Sequence, residues 1–97
     1  MTSVTKSSHR IIGTVIGKDR VGIIAAVSAV LAEAGANILD ISQSLMDEFF
    51  VMIMMVDVEH AGVSFAELKL RLNARGEAMG LRIDAQHEDV FKFMHRI

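Results

Sequence analysis

The amino-acid sequence predicts one α+β domain whose strands and helices follow one another in the order β, α, β, β, α, β. Three observations support this prediction. Short β-branched runs alternate with two stretches in which apolar residues recur every three or four positions. A glycine stands where each helical stretch should end. The 97 residues, 52% of them hydrophobic, are enough for a single core and include no stretch with linker composition.

The first strand and helix are separated by a polar loop. Arg10–Ile16 is β-branched and runs directly into the glycine-bracketed segment Gly17–Gly22. A helix over roughly Val21–Ala34 follows, because its apolar residues form one stripe at spacings of three and four. Gly35 stands at the expected C-terminal cap. The stripe consists of Ile23, Val27, Val30, Leu31 and Ala34.

The second and third strands should form a hairpin. Asn37–Met46 alternates apolar and polar residues, which is typical of a half-exposed strand. Phe49–Val58 is apolar on both faces until Asp57. Because only Asp47 and Glu48 separate the two runs, we predict a tight antiparallel turn between them.

A second helix and a fourth strand complete the pattern. Ser64 and Glu67 have capping-box spacing, in which each side chain bonds the other's backbone amide. The helix ends at Gly80 and contains one weak point, Gly76, while Leu81–Gln86 alternates as a strand. The buried face of the helix is predicted to carry Phe65, Leu68, Leu72 and Met79. A C-terminal helical turn should present Val90, Phe91, Met94 and Ile97.

Two β-α-β units with right-handed crossovers close as a ferredoxin-like sandwich, with two helices on one face of four antiparallel strands. The third strand is central in this topology and has two apolar rows, of which the helices can cover one. We therefore expect a homodimer or a higher even oligomer, with the second strand or first helix in an isologous contact and the C-terminal segment helping to close the open face. The rows are Phe50, Met52, Met54, Val56 and Val58, and Phe49, Val51, Ile53 and Met55.

Composition argues against several classes of protein. Ten basic and twelve acidic residues give a net charge of −2 without a basic cluster, so we expect no direct nucleic-acid binding. The longest apolar run, Phe49–Val56, is too short to span a bilayer, and Met1–Ser8 is polar. The chain has no cysteine, so no disulfide can form. We predict a cytoplasmic protein with a flexible segment at residues 1–9 and one domain over residues 10–97.

The sequence indicates neither a metal nor a cofactor. None of the four histidines pairs with another at helical spacing beside a carboxylate, and the run His87–Asp89 is interpreted as a solvated strand end. We also find no nucleophile, base and orienting group that belong together, so the chain is not expected to be an enzyme.

The loop Gly17–Gly22 is the best candidate for a binding site. It lacks the residues of a phosphate-binding Walker loop, but the free amides at the start of the next helix form an anion site that suits a carboxylate. The side chains of Asp19 and Asn37 would suit a ligand that carries an ammonium group and an amide. Structural alternatives stay open: the loop as a plain strand-to-helix turn, Asp19 as a helix N-cap, and Asn37 as part of a left-handed turn.

The runs Val15–Ala25 and Leu31–Ile41 resemble the signature of the ACT domain family, and the resemblance extends over Arg10–Ile97, including the ending Gln86–Phe91. It is strongest to small stand-alone members related to the N-terminal half of the glycine cleavage system transcriptional repressor. Many members have proline at the position of Val21, and its absence here leaves the loop less restricted. ACT domains sense small ligands, often amino acids, and pair side by side so that two sheets join.

The resemblance implies a regulatory module with its ligand site between subunits. Asp19 and Asn37 should approach each other, or their equivalents in a symmetry-related copy. Two alternatives remain: a small dimeric α+β enzyme, for which Arg20 and Asn37 are a weak phosphate-binding pair, and a pure interaction module without a ligand. The implied ligand-binding residues are Gly17, Lys18, Asp19, Gly22, Ile23, Asn37 and Ile38.

Overall fold

The computed structural model describes residues 9–94, which form one antiparallel sheet, two helices on one of its faces and a short C-terminal helix. All the predicted elements are confirmed. Most of the predicted flexible segment, together with Ile97, lies outside the described residues. The elements are β1 (Arg10–Lys18), α1 (Ile23–Glu33), β2 (Asn37–Met46), β3 (Phe49–Asp57), α2 (Phe65–Met79), β4 (Leu81–His87) and α3 (Glu88–Met94).

The sheet has the strand order β2-β3-β1-β4, and every neighbouring pair is antiparallel. This is the ferredoxin-like arrangement, and β3 is a central strand as predicted. The two-residue turn sets the hairpin register, with Met46 opposite Phe49 and Asn37 opposite Asp57. A register shift between Ile38 and Asp40 marks a bulge near the start of β2. Because β2 comes first in the strand order, it is an edge strand of the sheet.

The hydrophobic core lies between the sheet and the two long helices. Of the two apolar rows of β3, the buried one contains Phe50, Met52, Met54 and Val56. Because side chains alternate along a strand, the row from Phe49 to Met55 points away from α1 and α2. The largest fully buried side chains are Ile11, Leu31, Met52, Met54, Leu68 and Leu72.

Helix α2 begins with half of the predicted capping box. Ser64 Oγ accepts a hydrogen bond from the Glu67 amide at 3.1 Å, as predicted. The Glu67 carboxylate instead accepts from Arg71 Nε at 3.0 Å, one helical turn further along. An arginine at the i+4 position competes well for this carboxylate because the pair is charge-assisted.

Helix α3 folds onto the face of the sheet opposite α1 and α2. Arg10 Nε and Nη2 donate to Glu88 Oε1 and Oε2 at 2.9 and 2.7 Å, and Glu88 is only 3% exposed. The prediction of a solvated strand end at His87–Asp89 is therefore wrong for Glu88. The reason is that α3 starts immediately after β4 and turns toward β1, which places its first side chain against the sheet.

This short helix covers only one end of the outer face. Ile12 and Ile16 alternate onto the same side of β1, yet Ile12 is 7% exposed and Ile16 is 47% exposed. The difference follows from α3, which packs at the Arg10 end of β1. We call the remainder the uncovered end of the open face; its exposed apolar residues are Ile16, Met46, Phe49 and Ile53. Within residues 9–94, no helix is both long and apolar enough to cross a membrane.

Candidate functional site

The loop between β1 and α1 is held on two sides. The Asp19 amide donates to the Glu48 carbonyl at 2.9 Å, which ties the loop to the β2–β3 turn. Arg20 Nη1 donates to the Met79 carbonyl at 3.2 Å, which ties it to the end of α2. Val21, at the position often occupied by proline in the family, projects almost fully into solvent. The loop is therefore positioned although no proline restrains it.

Helix α1 begins without a side-chain cap. Its N-cap is Gly22, with φ of 93°, and its first turn contains no acidic residue. The alternative role of Asp19 as the N-cap is therefore wrong. The first-turn amides have no carbonyl partner within the helix, and a Cβ placed on Gly22 would meet nothing within 4 Å. The start of α1 is thus an open group of hydrogen-bond donors.

A cleft of ≈ 270 Å³ lies beside this loop. Its polar lining residues are Asp19, Gln43 and Ser44, and its apolar lining residues are Leu45 and Phe50. The arrangement offers an acceptor for an ammonium group next to a surface for an apolar side chain.

Four of the five lining residues were missed by the sequence-based site prediction. Gln43, Ser44, Leu45 and Phe50 belong to the hairpin, and Leu45 pairs with Phe50 two rungs from the turn. The two-residue turn Asp47-Glu48 could have indicated that these hairpin residues lie together, because a tight turn fixes which strand residues lie opposite each other. What the sequence did not indicate is that the β1–α1 loop reaches this hairpin.

Asp19 and Asn37 lie at opposite ends of the sheet. Asp19 follows Lys18, which pairs with Phe49, whereas Asn37 pairs with Asp57 at the Arg10 end of β1. Eight steps of ~3.3 Å separate these ends, about 26 Å in total. The expectation that the two side chains meet within one chain is wrong. Asn37 lies within β2, so its alternative role in a left-handed turn is also wrong; Gly35 makes that turn.

The other predicted site residues have different environments. A Cβ on Gly17 would lie 2.6 Å from Leu81 Cδ2, so close packing against β4 explains this glycine. The Ile23 side chain is buried in the core, which leaves only its amide facing the loop. Lys18 is exposed, and Ile38, next to Asn37, is half-buried. No group of three potential metal ligands occurs among the described residues.

Comparisons with known proteins agree with the fold. A family model described as an ACT domain matches residues 9–86. A UPF0237 protein from Methanocaldococcus jannaschii is 57% identical over 88 residues, which cover 91% of this chain and 98% of the relative. The solved structure of an ACT domain protein from Streptococcus pneumoniae is 38% identical, with a TM-score of 0.75 over 86% of this chain and 93% of the other.

A structure of a putative glycine cleavage system transcriptional repressor shares the fold at 23% identity. Its TM-score is 0.68 over 79% of this chain and 44% of the other. These matches confirm the resemblance found in the sequence. The chain belongs to the ACT domain family.

Proposed function

We propose that this protein is a small regulatory module that binds an amino-acid-like ligand in the cleft beside Asp19. The observation that carries the proposal is that Asp19, three residues before the uncapped start of α1, lines a cleft together with the apolar residues Leu45 and Phe50. Asp19 would accept hydrogen bonds from the ligand's ammonium group, and the first-turn amides of α1 would donate to its carboxylate. Leu45 and Phe50 would contact its side chain. The cleft, at ≈ 270 Å³, is near the lower limit of ligand pockets and suits a molecule of this size.

A second copy would complete the site across the edge of the sheet. β2 is an edge strand on which nearly every residue is exposed, including Leu39, Ile41 and Leu45. An exposed apolar edge favours pairing with another strand. If β2 pairs antiparallel with its own copy, the start of the partner's β2, with the partner's Asn37 and the partner's Ile38, lies beside Leu45 and Met46 at the end of this chain's β2. The two sets of family-implied residues, separated within one chain, would then lie at the same end of the joined sheet, beside the cleft.

The first test is a binding measurement on the purified protein. We expect one class of amino acids to stabilise it; a ligand at 100 times its Kd adds ~2.7 kcal/mol to the free energy of unfolding, which raises the Tm by roughly 10 °C or more for a domain of this size. Asp19→Asn should weaken binding at least tenfold. Glu77→Gln, which removes an exposed carboxylate from α2 outside the cleft, is the matched control. No response to any amino acid at millimolar concentration would refute the ligand and favour a pure interaction module.

Subunit complementation tests whether the partner contributes to the site. Asp19→Asn and Asn37→Ala should each impair binding in the homodimer. In a mixed dimer of the two variants, one site carries both substitutions and the other carries neither, so mixing should restore up to one quarter of the original sites. If Asn37 acts within its own chain or not at all, mixing restores nothing, and the shared site is wrong even if the ligand is right.

A further inference from the structure

The open face of the sheet is half covered by this chain's own α3. At the Arg10 end the helix buries Ile12, while Ile16, Phe49 and Ile53 remain about half exposed toward the other end. Side-by-side pairing through β2 would leave this face unchanged, because it adds strands at the edge. The uncovered end is therefore independent of the ligand site proposed above.

Helix α3 also carries exposed apolar side chains. Val90 is about half exposed and Phe93 is 71% exposed. At roughly 100° per residue, both lie on the side of the helix opposite the buried Glu88. Since Glu88 points toward the sheet, Val90 and Phe93 point away from it. The same short helix thus presents an apolar surface on the open-face side of the molecule, beside the uncovered end.

We propose that two copies pack open face against open face, with each α3 lying between its own sheet and the uncovered end of the partner's sheet. The two-fold axis runs across the strands, midway between the sheets. Such an axis exchanges the two ends of every strand. It therefore carries the partner's α3 away from the end occupied by this chain's helix and over Ile16 and Phe49. The two helices fill complementary halves of one layer.

The size of the apolar surface fits a second copy as the occupant. Six side chains, each roughly half exposed or more, contribute on the order of 500 Å² of apolar area per copy. A standard interface buries about 800 Å² per partner, of which roughly 56–65% is apolar. The apolar part of such an interface is therefore already present. The six side chains are Ile16, Met46, Phe49, Ile53, Val90 and Phe93.

Charge at the uncovered end also favours a copy of α3. Lys18 and Arg82 are exposed there, with Arg82 paired to Ile16 across the β1–β4 ladder. The first turn of α3 is acidic, with Asp89 on its exposed surface. The proposed axis brings this acidic turn toward Lys18 and Arg82 of the partner subunit, on the β1 and β4 side of an end whose β2–β3 turn carries Asp47 and Glu48. Complementary charge at the rim of an apolar contact fixes the register in which the surfaces meet.

Cross-linking tests the contact directly, because the chain has no cysteine and each introduced thiol is unique. A Phe93→Cys chain is mixed with a mass-tagged Ile16→Cys chain and treated with a short bifunctional maleimide. We expect a hybrid cross-linked product. Leu70→Cys is the matched control, since Leu70 is 64% exposed but lies on α2. A hybrid yield for Phe93→Cys no higher than for Leu70→Cys would overturn the proposal.

Association measurements provide the second test. By sedimentation, Val90→Ser combined with Phe93→Ser should weaken the face-to-face step at least tenfold, whereas Leu70→Ser should leave association unchanged. Circular dichroism confirms that each variant is folded. A wild-type protein that stays monomeric at concentrations of hundreds of micromolar would refute the inference. A double variant that associates like the wild type would also refute it. Loss of ligand binding with association intact would instead refute only the proposed function.

Discussion

Gly76→Ala is the substitution for which the sequence and the structure predict opposite results. Judged from sequence, Gly76 weakens the interior of α2, and alanine should stabilise the helix by ~0.8–1.0 kcal/mol. In the structure Gly76 is buried against β4. A Cβ at this position would lie 2.9 Å from the Leu81 carbonyl oxygen and 3.0 Å from Ile83 Cγ1. Ordinary contacts between such atoms are about 3.5–4.0 Å.

The outcome depends on which neighbour can move. Ile83 can shift its side chain by a few tenths of an ångström, but the Leu81 carbonyl belongs to the backbone of β4, whose Leu81 pairs with Gly17 of β1. Helix α2 must therefore move away from the sheet, and overpacking of this kind costs ~1–3 kcal/mol. Subtracting the propensity gain, we expect Gly76→Ala to lower the free energy of unfolding by about 1 kcal/mol.

Urea denaturation followed by circular dichroism measures this change. With a slope near ~1 kcal/mol per molar urea for a small domain, the midpoint should fall by about 1 M. Protomer concentration must be held constant, because association contributes to apparent stability. Asn73→Ala, at an exposed position of the same helix, is the control and should raise stability slightly. If Gly76→Ala is as stable as the wild type or more so, the close approach of α2 to β4 is not what requires the glycine.

Two further substitutions test how α2 begins and how α3 is anchored. Ser64→Ala removes the acceptor of the Glu67 amide and should cost ~1 kcal/mol; an unchanged urea midpoint would contradict the cap. Arg10→Met leaves the buried Glu88 carboxylate without its bidentate partner. We expect the free energy of unfolding to fall by about 2 kcal/mol. This is less than the ~3–5 kcal/mol typical of a broken buried pair, because Arg10 itself is 40% exposed. Hydrogen exchange in α3 should also become faster. Arg71→Met, which breaks an exposed pair, should change stability by less than ~0.5 kcal/mol and serves as the comparison.

The elements could be predicted from sequence because each had a local signal. The turn Asp47-Glu48 fixed the hairpin, and Ser64 marked the start of α2. Which row of β3 is buried could not be predicted, because both rows are apolar and the alternation of side chains then carries no information about the two faces. The burial of Glu88 was equally hidden. It depends on Arg10, 78 residues earlier in the chain, and the local sequence around Glu88 is polar.

The separation of Asp19 from Asn37 could have been predicted. In a strand-helix-strand unit the helix runs back along the sheet, so the second strand starts at the end where the first strand started. Asp19 follows the end of β1, and Asn37 begins β2, so the topology alone places them apart. The cleft at Asp19 was harder to foresee, because it depends on the hydrogen bond between the loop and the Glu48 carbonyl.

The two proposed contacts are geometrically compatible when their axes meet. The β2 axis is perpendicular to the sheet and would pass beside the middle of β2, at Ser42. Ser42 pairs with Ile53, and Ile53 with Thr14, which are the middle residues of β3 and β1. A face-to-face axis that runs across the strands at this same rung crosses the first axis at a right angle. Two perpendicular, intersecting two-fold axes generate a closed tetramer and not an open fibre. Disrupting either contact should then leave dimers, and the dimers held by the β2 edge should be those that keep the complete ligand site.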